Sequence, residues 1–162
     1  MSSLVYIVLG SKSDAEYALA ATDVLTAFGV KAKVFVASAH RSPKYLTRVL
    51  GAGRKEGVQV YITAAGMAAA LSGVVASQVL EPVIGVPLDA GALDGMDALL
   101  SIVQMPPGVP VATMGLGKAG MKNAAYLAVR ILALCDARLA AKLKAHHVKQ
   151  EEDIERANKE RP

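Results

Sequence analysis

Five short apolar runs, each ending in a polar or glycine-bearing loop, punctuate this chain at intervals that leave room for a helix between them. Leu4-Val5-Tyr6-Ile7-Val8-Leu9 is apolar throughout, the pattern of a strand covered on both faces. Lys33 to Ala37, Val58 to Thr63, Pro82 to Pro87 and Val111 to Met114 read as four more strands. The intervening stretches predict helices over Ala15–Phe28, Pro43–Lys55, Met67–Val79, Ala92–Val103, Ala119–Leu134 and Ala137–His147. Such alternation implies a central parallel sheet of about five strands, right-handed crossovers and a three-layer α/β sandwich. Residues 1–147 read as one domain and 148–162 as a mixed-charge tail, expected to project as an exposed helix or arm.

Two polar segments stand where apolar strands stop. Gly10-Ser11-Lys12-Ser13-Asp14 follows the first strand, and Ser38-Ala39-His40-Arg41 follows the second. Both loops are expected at the carboxyl edge of one sheet, where open α/β proteins bind ligands. Gly10 permits a sharp turn, Ser11 and Ser13 bring hydroxyls, and a helix beginning near Asp14 offers unpaired N–H groups to an anion. Asp14 would repel phosphate and is better suited to accept hydrogen bonds from ribose hydroxyls. The same residues also suit ordinary helix capping, and the loop has neither Walker nor GxGxxG spacing. His40 is one of three histidines and adjoins Arg41, whose planar guanidinium suits bidentate phosphate contact. A base beside an anion clamp is a pairing that proton transfer on a phosphorylated substrate would use.

Composition narrows the reading. The 162 residues are 53% hydrophobic but only 4% aromatic, so burial rests on small aliphatic side chains and close backbone approach. No charge occurs between Glu56 and Glu81, yet that stretch divides into a strand, a turn at Ala64-Ala65-Gly66 and a small-residue helix rather than a membrane span. Without a basic leader ahead of an apolar signal core, the expectation is a soluble, cytoplasmic protein. The single Cys135 is expected to be a buried structural thiol. A net charge of +4 with scattered Lys and Arg fits an anionic small molecule and shows no nucleic-acid motif. Asp89, Asp94 and Asp97 read as turn or capping residues, His146 and His147 as a solvated face, and Lys118 as a surface lysine.

Taken in order, GSKSD, SAHRSP, AAGMAAALSG, GVPLDAGALDGMDALLSIVQMPPGVPV and GKAGMKNAA resemble the PurE family of purine biosynthesis, from Leu4 to Asp136. The resemblance implies a flavodoxin-like fold, a homo-octamer, chemistry on aminoimidazole ribonucleotide, and no metal, biotin or ATP. It also implies a functional partnership with an ATP-dependent carboxyaminoimidazole ribonucleotide synthetase. Carried over position by position, His40 falls on the general acid/base, with Ser11, Ser13, Asp14 and Arg41 on the ribonucleotide-binding positions. Gly10, Ser38, Gly66, Ala70 and Leu71 complete the expected binding set, and a dry small-residue pocket from Gly66 to Gly73 would retain CO2.

One departure bears on the reaction. Bacterial mutases of the family carry His-Leu-Pro-Gly where this chain has Ala70-Leu71-Ser72-Gly73, the pattern of the branch that carboxylates with free CO2. His40-Arg41, GVP and SIVQMP instead follow the mutase pattern. The mutase reading ranks first, direct carboxylation second, and a non-catalytic nucleotide-binding protein third.

Overall fold

The computed structural model describes residues 4–159. Its elements are β1 (Leu4–Leu9), a 3₁₀ turn (Lys12–Asp14), α1 (Ala15–Phe28), β2 (Lys31–Val36), α2 (Pro43–Glu56), β3 (Val60–Ala65), α3 (Leu71–Ala76), β4 (Val83–Pro87), α4 (Met96–Val103), β5 (Ala112–Thr113), α5 (Gly117–Ala133) and α6 (Ala137–Lys159). The five strands pair in parallel in the order β2-β1-β3-β4-β5. This is the flavodoxin-like order, and its reversal of direction falls between β1 and β3.

Strand alternation builds the three layers. Val5, Ile7 and Leu9 pack with α1, α5 and the start of α6, while Tyr6 and Val8 face the opposite side with α2, α3 and α4. Every residue of β3 and β4 is buried, whereas the edge strand β2 leaves Val34 and Val36 exposed. The apolar pattern at β2 therefore reports β geometry rather than burial.

Several features differ from those expected; α4, for instance, begins at Met96 rather than Ala92, after the left-handed Asp94 and Gly95. The segment 67–79 is helical only over Leu71–Ala76, because Met67 and Ala69 take left-handed backbone conformations that interrupt a helix. That short helix packs Leu71 and Val75 into the core of the chain, with Ser72 buried beside them. α6 continues past His147 to Lys159 as the expected exposed arm, with Arg156 and Asp153 paired one turn apart. Cys135 is exposed, contrary to expectation, because α5 ends at Ala133 and the chain turns outward before α6. No helix among the described residues is long and apolar enough to cross a membrane.

Tyr6 and Tyr61 meet edge to face inside the layer between the sheet and α2, both fully buried. Burial pushes both phenols up to about 12, with the Glu56 carboxylate reinforcing it at Tyr6. The neutral phenol is the form the core holds. Their contribution to stability is accordingly complete below pH of about 10, the unfolded value, and is lost as pH rises through about 12. A spectrophotometric alkaline titration is expected to leave these two of the five tyrosines neutral until the protein unfolds. A single step near pH 10 comprising all five tyrosines would contradict the burial argument.

Candidate active site

The carboxyl ends of β1, β2 and β3 are zipped together before their loops diverge. Ala37 N–H donates to Leu9 O at 2.9 Å, and Gly10 N–H donates to Ala64 O at 3.0 Å. The three loops that follow surround one cavity of about 430 Å³, sited where the strand order reverses.

Gly10, Ser11, Ser13 and Asp14 form its first wall. The backbone turns into a single 3₁₀ turn, and the Asp14 carboxylate reaches back to accept the Ser11 N–H at 2.9 Å through Oδ2. The Ser13 hydroxyl lies 3.1 Å from Asp14 Oδ1 and 3.0 Å from Ser11 Oγ, with one proton to give to either. Asp14 thus does cap the turn, while its carboxylate, with about four acceptor positions, keeps capacity for further donors.

The second wall is Ser38, Ala39, His40 and Arg41. Ser38 Oγ accepts the Arg41 N–H at 3.1 Å, and Ser42 Oγ accepts the Ser38 N–H at 3.0 Å. These bonds tie the loop into a compact turn whose tip carries the exposed His40. The Arg41 guanidinium crosses to the first wall and donates to Gly10 O at 3.3 Å. One of its five N–H donors therefore holds the two loops in register, and the residue lines the cavity.

Alanine dominates the third wall. Ala65, Gly66, Met67, Ala68, Ala69, Ala70 and Leu71 line it, and Ala90 closes it from the loop after β4. Its methyl groups offer no hydrogen bond to a charged or polar occupant. All ten site residues named from the sequence border this single cavity. Ser72 and Gly73 do not. Ser72 is buried, 2.8 Å from the Thr63 hydroxyl, and Gly73 packs beside the Met105 thioether. Ala65 and Ala90 have no signal in the sequence, because a methyl group contributes to the wall only through its position.

The other clusters lie elsewhere. Tyr17 OH donates to Asp89 at 2.9 Å, and Lys118 pairs with Glu16 at 3.3 Å on the surface. His146 stacks on Tyr126 at the side of a separate cleft of about 700 Å³ between α5 and α6, which His147 also borders.

The AIR carboxylase family profile matches residues 4–153. Among curated relatives, the N5-carboxyaminoimidazole ribonucleotide mutase of Saccharolobus solfataricus is 46% identical over 150 residues, covering 93% of this chain and 94% of that protein. The protein of the same name from Bacillus subtilis is 49% identical over 143 residues, 88% of each chain. Among solved structures, Treponema denticola PurE superposes with a TM-score of 0.86 at 31% identity over 99% of both chains.

Proposed function

Since the chain belongs to the AIR carboxylase family, we infer that it is a purine-biosynthesis mutase, converting N-carboxyaminoimidazole ribonucleotide to 4-carboxyaminoimidazole ribonucleotide. The observation that carries this reading is the meeting of three unlike walls at one cavity: a serine-aspartate turn, a histidine-arginine loop and an alanine surface.

Each wall takes one part of the reaction. Ser11, Ser13 and the outward donors of Arg41 hold the phosphate, while Asp14 accepts the ribose hydroxyls. Gly10 and Ser38 shape the two turns that bring these groups together, through the Arg41 and backbone contacts they accept. Gly66, Ala70 and Leu71 belong to the wall beside the base. As the carbamate N–C bond breaks, His40 gives a proton to the departing nitrogen and CO2 is released against the alanine wall. Ring C4 then attacks that CO2, and His40 removes the C4 proton, which returns the imidazole to its starting form. The net change moves one CO2 from nitrogen to carbon and one proton from carbon to nitrogen. Retention of CO2 is the condition for this path, because a molecule held beside C4 reacts at an effective concentration that a diffusing one never reaches.

The proposal extends to a cytoplasmic homo-octamer that receives its carbamate from an ATP-dependent synthetase. Leu93, Met96, Leu100 and Val103, each at least half exposed, form an apolar strip along and ahead of α4 that favours assembly over an isolated chain. Light scattering at micromolar concentration reads the mass directly, and an active monomer would refute the assembly.

Turnover decides the reaction. The purified protein is expected to consume N-carboxyaminoimidazole ribonucleotide without added bicarbonate. Turnover only of aminoimidazole ribonucleotide with bicarbonate would replace mutase by carboxylase, and turnover of neither would leave a binding protein.

A further inference from the structure

The SIVQMP segment, Ser101 to Pro106, lies outside the cavity yet grips the back of its alanine wall. Ser101 sits on the exposed side of α4, and its Oγ donates to the carbonyl of Ala68 at 2.5 Å across 33 residues of sequence. Ala68 is flanked by the two left-handed residues of the loop, Met67 at φ 56° and Ala69 at φ 38°. Neither is a glycine. Side chains with a Cβ hold that conformation only where their surroundings over-determine it. From inside the loop the support is Ala69 N–H to Gly66 O at 3.2 Å, and from outside it is the Ser101 hydroxyl. Further along the same segment, Ile102 is buried over Gly85 and the Met105 sulfur packs against Gly73, so the motif backs the stretch from Ala68 to Gly73 at more than one point.

We propose that Ser101 is a positioning residue for the CO2-transfer reaction: by holding the Ala68 carbonyl it fixes the left-handed turn that gives the Gly66–Ala70 wall its shape. It touches no reacting atom. The effect should therefore fall on retention of CO2 beside C4 rather than on capture of the ribonucleotide, whose phosphate and ribose contacts come from the other two loops. This inference rests on the mutase reading.

The test compares the unmodified protein with Ser101→Ala and Ser101→Thr. Because Ser101 is exposed in the single chain, the alanine variant is expected to fold, and light scattering checks that both variants assemble as the unmodified protein does. Its kcat should fall by about tenfold to a hundredfold with KM changed less than threefold, since a displacement of about 1 Å at a reacting site costs roughly that much. Threonine, which keeps the hydroxyl, should restore most of the loss. Hydrogen exchange at the amides of residues 67–70 should accelerate by about tenfold in the alanine variant alone, independent of any reaction. Unchanged exchange overturns the tether; unchanged kcat, or a loss that threonine fails to repair, overturns the positioning role. If the unmodified protein turns over neither ribonucleotide, the mutase reading fails, and the positioning role in that reaction falls with it, while exchange still reports separately on the tether.

Discussion

Replacing His40 by Asn is expected to leave a folded protein that still binds ribonucleotide and has lost about a hundredfold to ten-thousandfold in turnover. His40 stands exposed at the tip of a loop whose internal hydrogen bonds run through Ser38, Arg41 and Ser42, so its replacement removes no core contact. The size of the effect follows from the composition of the cavity. Asp14, His40 and Arg41 are the titratable side chains that line it; Asp14 accepts local donors, and Arg41 is permanently charged. With alanine at position 70, no second imidazole lines the cavity, so in the proposed mechanism His40 both gives and takes the proton. Steady-state kinetics on the variant, with ribonucleotide affinity measured by calorimetry, separates loss of chemistry from loss of binding. A kcat near that of the unmodified protein would remove His40 from the mechanism.

The fold was legible where pattern and geometry have the same cause. β1 and α1 appear over the expected residues because an unbroken apolar run demands cover on both faces, and Gly29 accepts the left-handed turn that ends the helix. The polar loops were legible because serine, aspartate, histidine and arginine after buried strands are informative by residue type. The loop from Gly66 to Ala70 was not. Its alanines favour helix in isolation, while the left-handed turn goes with a tertiary contact, Ser101 to Ala68, between positions too distant in sequence for any local pattern to register. The C-terminal arm was legible from its mixed charge, and α6 forms it as an exposed helix. Its second half has no apolar stripe, and an exposed pair such as Arg156–Asp153 adds modest support on the way to Lys159. Cys135 shows the limit of residue type alone: an apolar sequence neighbourhood suggested burial, but the helix junction turns it outward.

Gly66→Ala should show how closely that third wall is set. A Cβ built on Gly66 would lie 2.7 Å from the Ala90 methyl and 3.4 Å from Leu88 O. Carbon atoms pack at about 3.5–4.0 Å, so the two loops must separate by roughly an ångström. Neither obstacle is the movable end of a long side chain, and the backbone has to absorb the shift. Overpacking of this kind typically costs about 1–3 kcal/mol of stability, which a cooperative domain can survive. Catalysis is less tolerant, because a misplacement of about 1 Å at a reacting site can cost on the order of a hundredfold in rate. The variant is therefore expected to be folded at room temperature, lower in melting temperature, and about a hundredfold slower. Ala90→Gly in the same chain removes the opposing methyl and should return most of the rate, leaving only the milder approach to Leu88 O. If Gly66→Ala keeps full kcat, the wall has room that its geometry denies; if the double variant stays slow, the loss arises from something other than contact with Ala90. Recovery in the double variant would tie the rate to the spacing between the loops after β3 and β4, as the proposed retention of CO2 beside that wall requires.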